Sequence, residues 1–180
     1  MERVALPRPR TAGRYRVAVV CLGNICRSPM AHVVLEARVA EAGLADRVEV
    51  VSSGTAGWHV GKPMDPRAAA TLSAAGYDPS RHRARQFEAG WFDDVDLVLV
   101  MDATNRSDVL ALADQPGHPG QVAMFRDFDP DEPGAEVPDP YYGGDDGFQE
   151  VLAMVERSSS RLVALLAEQL ADEPGGPSGG

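Results

Sequence analysis

The chain has 180 residues, 44% of them hydrophobic and 24% charged, and a formal net charge of −10. This suits one medium-sized globular domain with a sizeable core, not a fibrous or low-complexity protein. Nucleic acid and anionic membrane are excluded as expected partners, because either calls for a basic patch and no apolar run approaches the roughly 18 to 20 residues of a membrane span.

Residues 1–15 are expected to be a flexible extension: Arg3, Arg8, Arg10 and Arg14 precede no apolar signal core, and Pro7 and Pro9 interrupt the segment. A single domain is expected over residues 16–171, with a disordered tail over 172–180. The first strand is predicted over Arg16–Val20. It turns through a polar loop into a helix over Pro29–Ala42, with Met30, Val33, Val34 and Val39 on helical spacings and Gly43 as its stop. A second strand over Arg47–Ser52 ends in Ser-Ser-Gly, and a helix runs from Pro66 to about Ala75. Asp94–Met101 is nearly continuous in apolar residues and reads as a fully buried strand of a parallel sheet, with Trp91 and Phe92 packing before it. A helix over Asn105–Ala113, a short strand over Gln121–Phe125 and a long helix from Phe148 complete the chain; Val151, Leu152, Val155, Leu162, Leu165, Leu166 and Leu170 trace one face of the last. Strands alternating with helices predict an α/β fold with a doubly wound, four-stranded parallel sheet between two helical layers.

The loop after the first strand reads Cys21-Leu22-Gly23-Asn24-Ile25-Cys26-Arg27-Ser28-Pro29, a C-x5-R-S spacing. Ser28 is expected as the N-cap of the following helix, with Pro29 at its first position. Unpaired N–H groups and the macrodipole at that helix end favour a bound phosphate and, equally, Cys21 as a thiolate. The planar fork of Arg27 holds two phosphate oxygens at once, which an ammonium cannot do. Gly23 and Asn24 suit a tight loop with left-handed residues. A zinc site is disfavoured by the wide Cys21 to Cys26 spacing and the lack of a second cysteine pair, and His32, His59 and His118 show no metal spacing with one another. An ATP-type P-loop would need a second glycine and a lysine that the loop lacks. A buried structural cysteine beside an arginine is the remaining alternative.

This loop resembles the signature loop of the low-molecular-weight protein tyrosine phosphatases. The likeness continues through Ser53-Gly54-Thr55-Ala56-Gly57-Trp58, Asp65-Pro66-Arg67-Ala68, His82, Met101-Asp102 and Asp139-Pro140-Tyr141-Tyr142, and covers about Arg16 to Leu170. It implies strand order 2-1-3-4, which puts the loop at the topological switch point where ligands settle. It also implies a hydrolase in which Cys21 is the nucleophile, Arg27 and the loop from Leu22 to Ser28 bind the phosphoryl group, and Asp139 is the general acid.

Asp139 lies in a segment from Asp127 to Asp146 that holds eight acidic residues and no basic one. Pro138 and Pro140 flank it and stiffen its backbone. From local sequence alone it is an ordinary turn aspartate; the companion loop at Cys21 turns the reading toward catalysis, because a departing phenoxide needs a proton and a thiophosphate needs a base to activate water. Trp58, Tyr141 and Tyr142 are expected to wall a deep slot that accepts a phenyl ring and leaves phosphoserine short of Cys21. By the resemblance, Ser53, His82 and Asn24 hydrogen-bond around the loop with Ser28, and Asp102 supports it from behind, although Asp102 is equally placed to cap a helix. Cys26 is expected to capture an oxidised Cys21 as a disulfide, with an unreactive packing role as the alternative.

The expected protein is therefore a monomeric, cytoplasmic phosphotyrosine phosphatase acting on protein substrates, with no metal or organic cofactor. Three rivals stand against it. Thioredoxin-coupled arsenate reductases share the fold but use further cysteines downstream, and none follows Cys26. Phosphoarginine phosphatases usually carry Thr at the position of Ile25 and lack the paired tyrosines. A non-catalytic phosphotyrosine-binding module would be expected to lose Cys21, Arg27 or Asp139, and all three are present.

Overall fold

The computed structural model describes residues 6–113, 121–141 and 145–171. In chain order the elements are β1 (Tyr15–Cys21), α1 (Arg27–Glu41), β2 (Val48–Gly54), α2 (Pro66–Ala74), α3 (Trp91–Asp94), β3 (Leu97–Val100), α4 (Ala103–Ala111), β4 (Val122–Met124) and α5 (Asp145–Ala171). The strands form one parallel sheet in the order β2-β1-β3-β4, as expected. Val17 of β1 stands opposite Val50 on one side and Leu97 on the other.

The two-residue period of β1 divides the core between the two faces of the sheet. Val17, Val19 and Cys21 join Met30, Val34 and Leu35 of α1, Leu72 of α2 and the apolar stripe of α5. Ala18 and Val20 face the other way, onto Phe92 of α3 and Val109 of α4. That alternation makes the three layers. Along α5, Phe148, Val151, Leu152, Val155, Leu162, Leu166 and Leu170 are all buried, so its 27 residues are held by packing along their length.

Two elements depart from expectation. The strand expected over Asp94–Met101 is shortened to Leu97–Val100, because Trp91–Asp94 closes a helical turn in which the Val95 N–H donates to the Trp91 carbonyl. Phe92 is fully buried there and Phe87 packs edge-on against it, ring centroids 5.3 Å apart. Residues 6–14 fall in the stretch expected as a flexible extension, yet they are tied to the domain. The Arg10 N–H donates to the buried Asp96 carboxylate at 2.7 Å, its guanidinium reaches the Phe92 and Val95 carbonyls, and the Tyr15 hydroxyl donates to the Pro7 carbonyl. The spacing of charged and apolar residues carries no trace of these contacts, which span more than 80 residues of sequence for Arg10.

Candidate active site

β1 ends at Cys21 and α1 begins at Arg27, so the loop between them sits on the carboxyl edge of the sheet at the N-terminal end of a 15-residue helix. The helix starts earlier than expected. Cys26 occupies the cap position without a side-chain cap bond, and Ser28 lies inside the first turn. Its hydroxyl is therefore released from capping and turned into the loop. Ser28 Oγ stands 3.0 Å from Cys21 Sγ and 3.2 Å from the Ser53 carbonyl, and it accepts from Asn24 Nδ2 at 2.7 Å. One hydroxyl hydrogen serves two acceptors. It can point to the sulfur when Cys21 is a thiolate, or to the Ser53 carbonyl when the thiol donates to Oγ.

Asn24 is the keystone of the turn. It is fully buried and takes the left-handed backbone at φ 58°, whereas Gly23 does not. Its Nδ2 holds Ser28, its Oδ1 accepts from the Arg85 N–H at 2.9 Å, and its carbonyl accepts from His82 Nε2 at 2.7 Å. Because a carbonyl only accepts, the ring nitrogen of His82 must carry the hydrogen. Burial pushes the His82 pKa down to about 4, against the opposing pull of that hydrogen bond, so the ring is neutral. Ser53 contributes through its carbonyl and not its side chain, since Ser53 Oγ is buried with no partner among the described residues.

Gly54 is needed for a reason that its place in Ser-Ser-Gly did not reveal. A Cβ there would lie 2.6 Å from the Leu22 carbonyl oxygen and 2.9 Å from the Asn24 nitrogen, backbone atoms that cannot yield cheaply. The following N–H groups of Thr55 and Ala56 donate to the carbonyls of Cys21 and Leu22, and the Asp65 N–H donates to the Ile25 carbonyl at 2.8 Å. With those carbonyls engaged elsewhere, the loop is free to present N–H groups to an anion.

Arg27 is buried and held by one nitrogen. Its Nη1 donates to Asp102 Oδ2 at 2.7 Å and to the Val137 carbonyl at 3.0 Å, while no described residue hydrogen-bonds Nε or Nη2. Burial would weaken the cation, but Cys21, Asp102 and Asp139 outweigh it and raise its pKa. Asp102 serves both purposes weighed from the sequence. Oδ2 binds Arg27 and Oδ1 accepts from the Asn105 N–H at 2.7 Å, capping α4, which starts at Ala103 for that reason. Asp139 Oδ2 stands 3.6 Å from Arg27 Nη2, and its Oδ1 accepts from the Tyr141 N–H at 3.0 Å.

A cleft of about 160 Å³ opens onto these groups, lined by Cys21, Leu22, Gly23, Ile25, Cys26, Arg27, Trp58, His59, Asp139 and Tyr141. Trp58 is 70% exposed and Tyr141 39%. Such exposure of large aromatic rings beside a charged cleft fits walls that wait for a partner, not core residues. His59 was not singled out as a site residue by the sequence; its ring comes within 3.0 Å of where a Cβ on Gly23 would stand. Tyr142, His118 and the tail over 172–180 lie outside the described residues. Cys21 and Cys26 are both free thiols and buried. Burial, then Asp65, Cys21 and Asp139, push the Cys26 pKa far above the ordinary thiol range, so Cys26 stays protonated.

The segment carrying Asp139 is braced from beneath. Asp129, fully buried, accepts from Arg126 at 2.9 Å and from both Nε and Nη2 of Arg157 on α5, and the second arm of Arg126 binds the Glu136 carbonyl at 2.8 Å. The Val137 N–H donates to the Met101 carbonyl at 2.7 Å. An irregular, proline-rich segment is thus fixed at its stem by buried charge pairs and at its end by the edge of β3.

Comparison with known proteins agrees with this fold. The family described as low molecular weight phosphotyrosine protein phosphatase matches residues 16–172. A low molecular weight protein-tyrosine-phosphatase of Streptomyces coelicolor is 49% identical over 158 residues, covering 87% of this chain and 96% of its own. Low molecular weight protein-tyrosine phosphatase A of Mycobacterium tuberculosis is 40% identical over 157 residues, 86% of this chain and 93% of its own. Among solved structures, a protein tyrosine phosphatase from Entamoeba histolytica superposes with TM-score 0.81 at 30% identity, covering 86% of this chain and 97% of its own. YfkJ from Bacillus subtilis does so with TM-score 0.81 at 32% identity, covering 87% and 96%. With the match running through almost the whole domain, the chain belongs to the low molecular weight phosphotyrosine protein phosphatase family.

Proposed function

We propose that the protein hydrolyses phosphotyrosine in proteins through a cysteinyl-phosphate intermediate. The observation that carries the proposal is the cleft in which Cys21, Arg27 and Asp139 converge beneath Trp58 and Tyr141. Cys21 Sγ attacks phosphorus, forming an S–P bond as the P–O bond to the tyrosine breaks. Nε and Nη2 of Arg27 and the loop N–H groups from Leu22 to Ser28 hold the three phosphoryl oxygens where charge develops. Asp139, protonated at this stage, gives its proton to the departing phenolic oxygen. In the second step its carboxylate takes a proton from water, the water oxygen attacks phosphorus, and the sulfur leaves as a thiolate that the Ser28 hydroxyl can stabilise. The helix end and Arg27 supply the positive charge that metal ions supply in other phosphoryl transfers.

Selectivity follows from depth. With Trp58 and Tyr141 among the walls of the cleft that holds Cys21, a phenyl ring is the expected occupant and the shorter serine side chain is expected to fall short of the sulfur. The net charge of −10 supports protein substrates over nucleic acids or anionic membranes. A nucleophilic thiol with a second free thiol in the same loop suits a reducing cytoplasm and a redox-sensitive enzyme.

The test is turnover of phosphotyrosine, phosphoserine and phosphoarginine peptides in buffer treated with a chelator. Preference for phosphotyrosine, unchanged by the chelator, is the expected result. Preference for phosphoarginine or dependence on added metal would overturn the proposal.

A further inference from the structure

Tyr141 projects from a segment without regular structure, and what stands against its ring is Arg67, near the start of α2. The guanidinium carbon lies 5.4 Å from the Tyr141 ring centroid and 4.8 Å from that of Phe148, which is fully buried near the start of α5. The guanidinium is itself held by a carboxylate. Asp65 Oδ1 accepts from Arg67 Nε at 3.2 Å and Oδ2 from Nη2 at 3.1 Å, and the same Oδ1 caps α2 by accepting from the Arg67 N–H at 2.8 Å. Asp65 in turn is fastened to the phosphate loop through its own N–H and the Ile25 carbonyl. The Tyr141 N–H closes the circuit by donating to Asp139. Contacts therefore run from Ile25 through Asp65 and Arg67 to Tyr141 and Asp139, and back to Arg27.

We propose that Arg67 is a positioning residue for aryl phosphates: braced by Asp65 against the phosphate loop, it fixes the Tyr141 ring as a wall of the cleft and, through the Tyr141 backbone, the reach of Asp139. The proposal rests on the phosphotyrosine reading and deepens it. A guanidinium suits this place because its edge engages a carboxylate in two bonds while its face lies against aromatic rings; an ammonium does not offer both surfaces. Arg67 does not line the cleft, so it acts on substrate through its neighbours, of which Tyr141 is the ring that lines the cleft.

The experiment compares the unmodified protein with Arg67→Met, Arg67→Lys, Tyr141→Ala and the double variant Arg67→Met with Tyr141→Ala. Four quantities are read: kcat and KM for a phosphotyrosine peptide, inhibition by inorganic phosphate, and the urea midpoint. Arg67→Met is expected to raise KM by about two- to fivefold, the effect of losing an exposed cation against a ring. Inhibition by phosphate should stay within about twofold, because the phosphate loop keeps its backbone tie to Asp65. Arg67→Lys should recover only part of the loss. In the Tyr141→Ala background Arg67→Met should add nothing. An unchanged KM, phosphate inhibition weakened in step with KM, or additive losses in the double variant would overturn the proposal. A urea midpoint falling in proportion to KM would reduce Arg67 to a structural residue and overturn it too. Failure of the underlying reading is distinguishable, because the unmodified protein would then show no phosphotyrosine turnover before any substitution was made.

Discussion

Asp102 and Arg27 meet at 2.7 Å through Oδ2 and Nη1, while Oδ1 of the same carboxylate caps α4. The two bonds can be separated, since asparagine caps helices as well as aspartate but carries no charge. Asp102→Asn should lose stability only through the buried ion pair with Arg27, and should lower kcat/KM for a phosphotyrosine peptide by about 10- to 100-fold, as a misaimed guanidinium would. Asp102→Ala should show the same kinetic loss and, in addition, about 0.5–2 kcal/mol of lost stability. Equal stability of the two variants would show that the cap contributes nothing.

His82 gives the protein a pH dependence whose sign is fixed. Its folded pKa is pushed down to about 4 by burial, below the 6.5 of an exposed imidazole. Between those values the unfolded chain binds the proton and the native state does not, so stability falls as the pH drops from about 6.5 toward 4. Above that window His82 makes no demand. His82→Gln keeps a donor for the Asn24 carbonyl and removes the titration. Urea midpoints at pH 7 and pH 5 should differ less in that variant than in the unmodified protein; an identical difference would mean that another group titrates.

Oxidation should be reversible. Peroxide takes the Cys21 thiolate to a sulfenic acid, and the Cys26 sulfur then displaces its hydroxyl, giving a disulfide and water. Because Cys26 is pushed far up by burial, it attacks only in its scarce ionised form, so disulfide formation should accelerate with rising pH. Mass spectrometry of peroxide-treated protein should find Cys21 joined to Cys26, and thiol should restore activity. Equal recovery in Cys26→Ala, with no disulfide in the unmodified protein, would contradict this.

Much of this site was legible because its chemistry is concentrated in sequence. Cys21, Arg27 and Ser28 lie within one loop whose spacing and helix-start residues are readable without a structure. The four strands were legible too, since β-branched runs bounded by turn residues leave few other readings. What stayed hidden has local causes. Ser28 has the residue type of a cap, but the helix starts two residues earlier and the hydroxyl is taken by Cys21, Asn24 and Ser53. Gly23 and Asn24 were equivalent on propensity, and only the packing of the Asn24 side chain chose it for φ 58°. Gly54 matters through close approach to another segment, and Arg67 through rings more than 70 residues away, so neither leaves a local pattern.

The role of Asp139 as proton donor is testable by leaving group. Asp139→Asn should slow phosphoenzyme formation from phosphotyrosine by about 10²- to 10⁴-fold, the range of general acid catalysis, and slow formation from an activated aryl phosphate much less. Single-turnover measurements isolate that step from the later attack of water, which uses the same carboxylate. Equal losses for both substrates would transfer the role to another carboxylate of the acidic segment.

The central claim is that the phosphoryl group passes through Cys21. Asp139→Asn protein, whose second step should be slow, is mixed with an activated aryl phosphate, quenched in acid within the first turnover and mapped by peptide mass spectrometry. The account predicts one phosphoryl group on the peptide carrying Cys21, and none in a parallel Cys21→Ser, Asp139→Asn double variant. A phosphoryl group on any other side chain, or steady turnover by protein carrying Cys21→Ser alone, would contradict it.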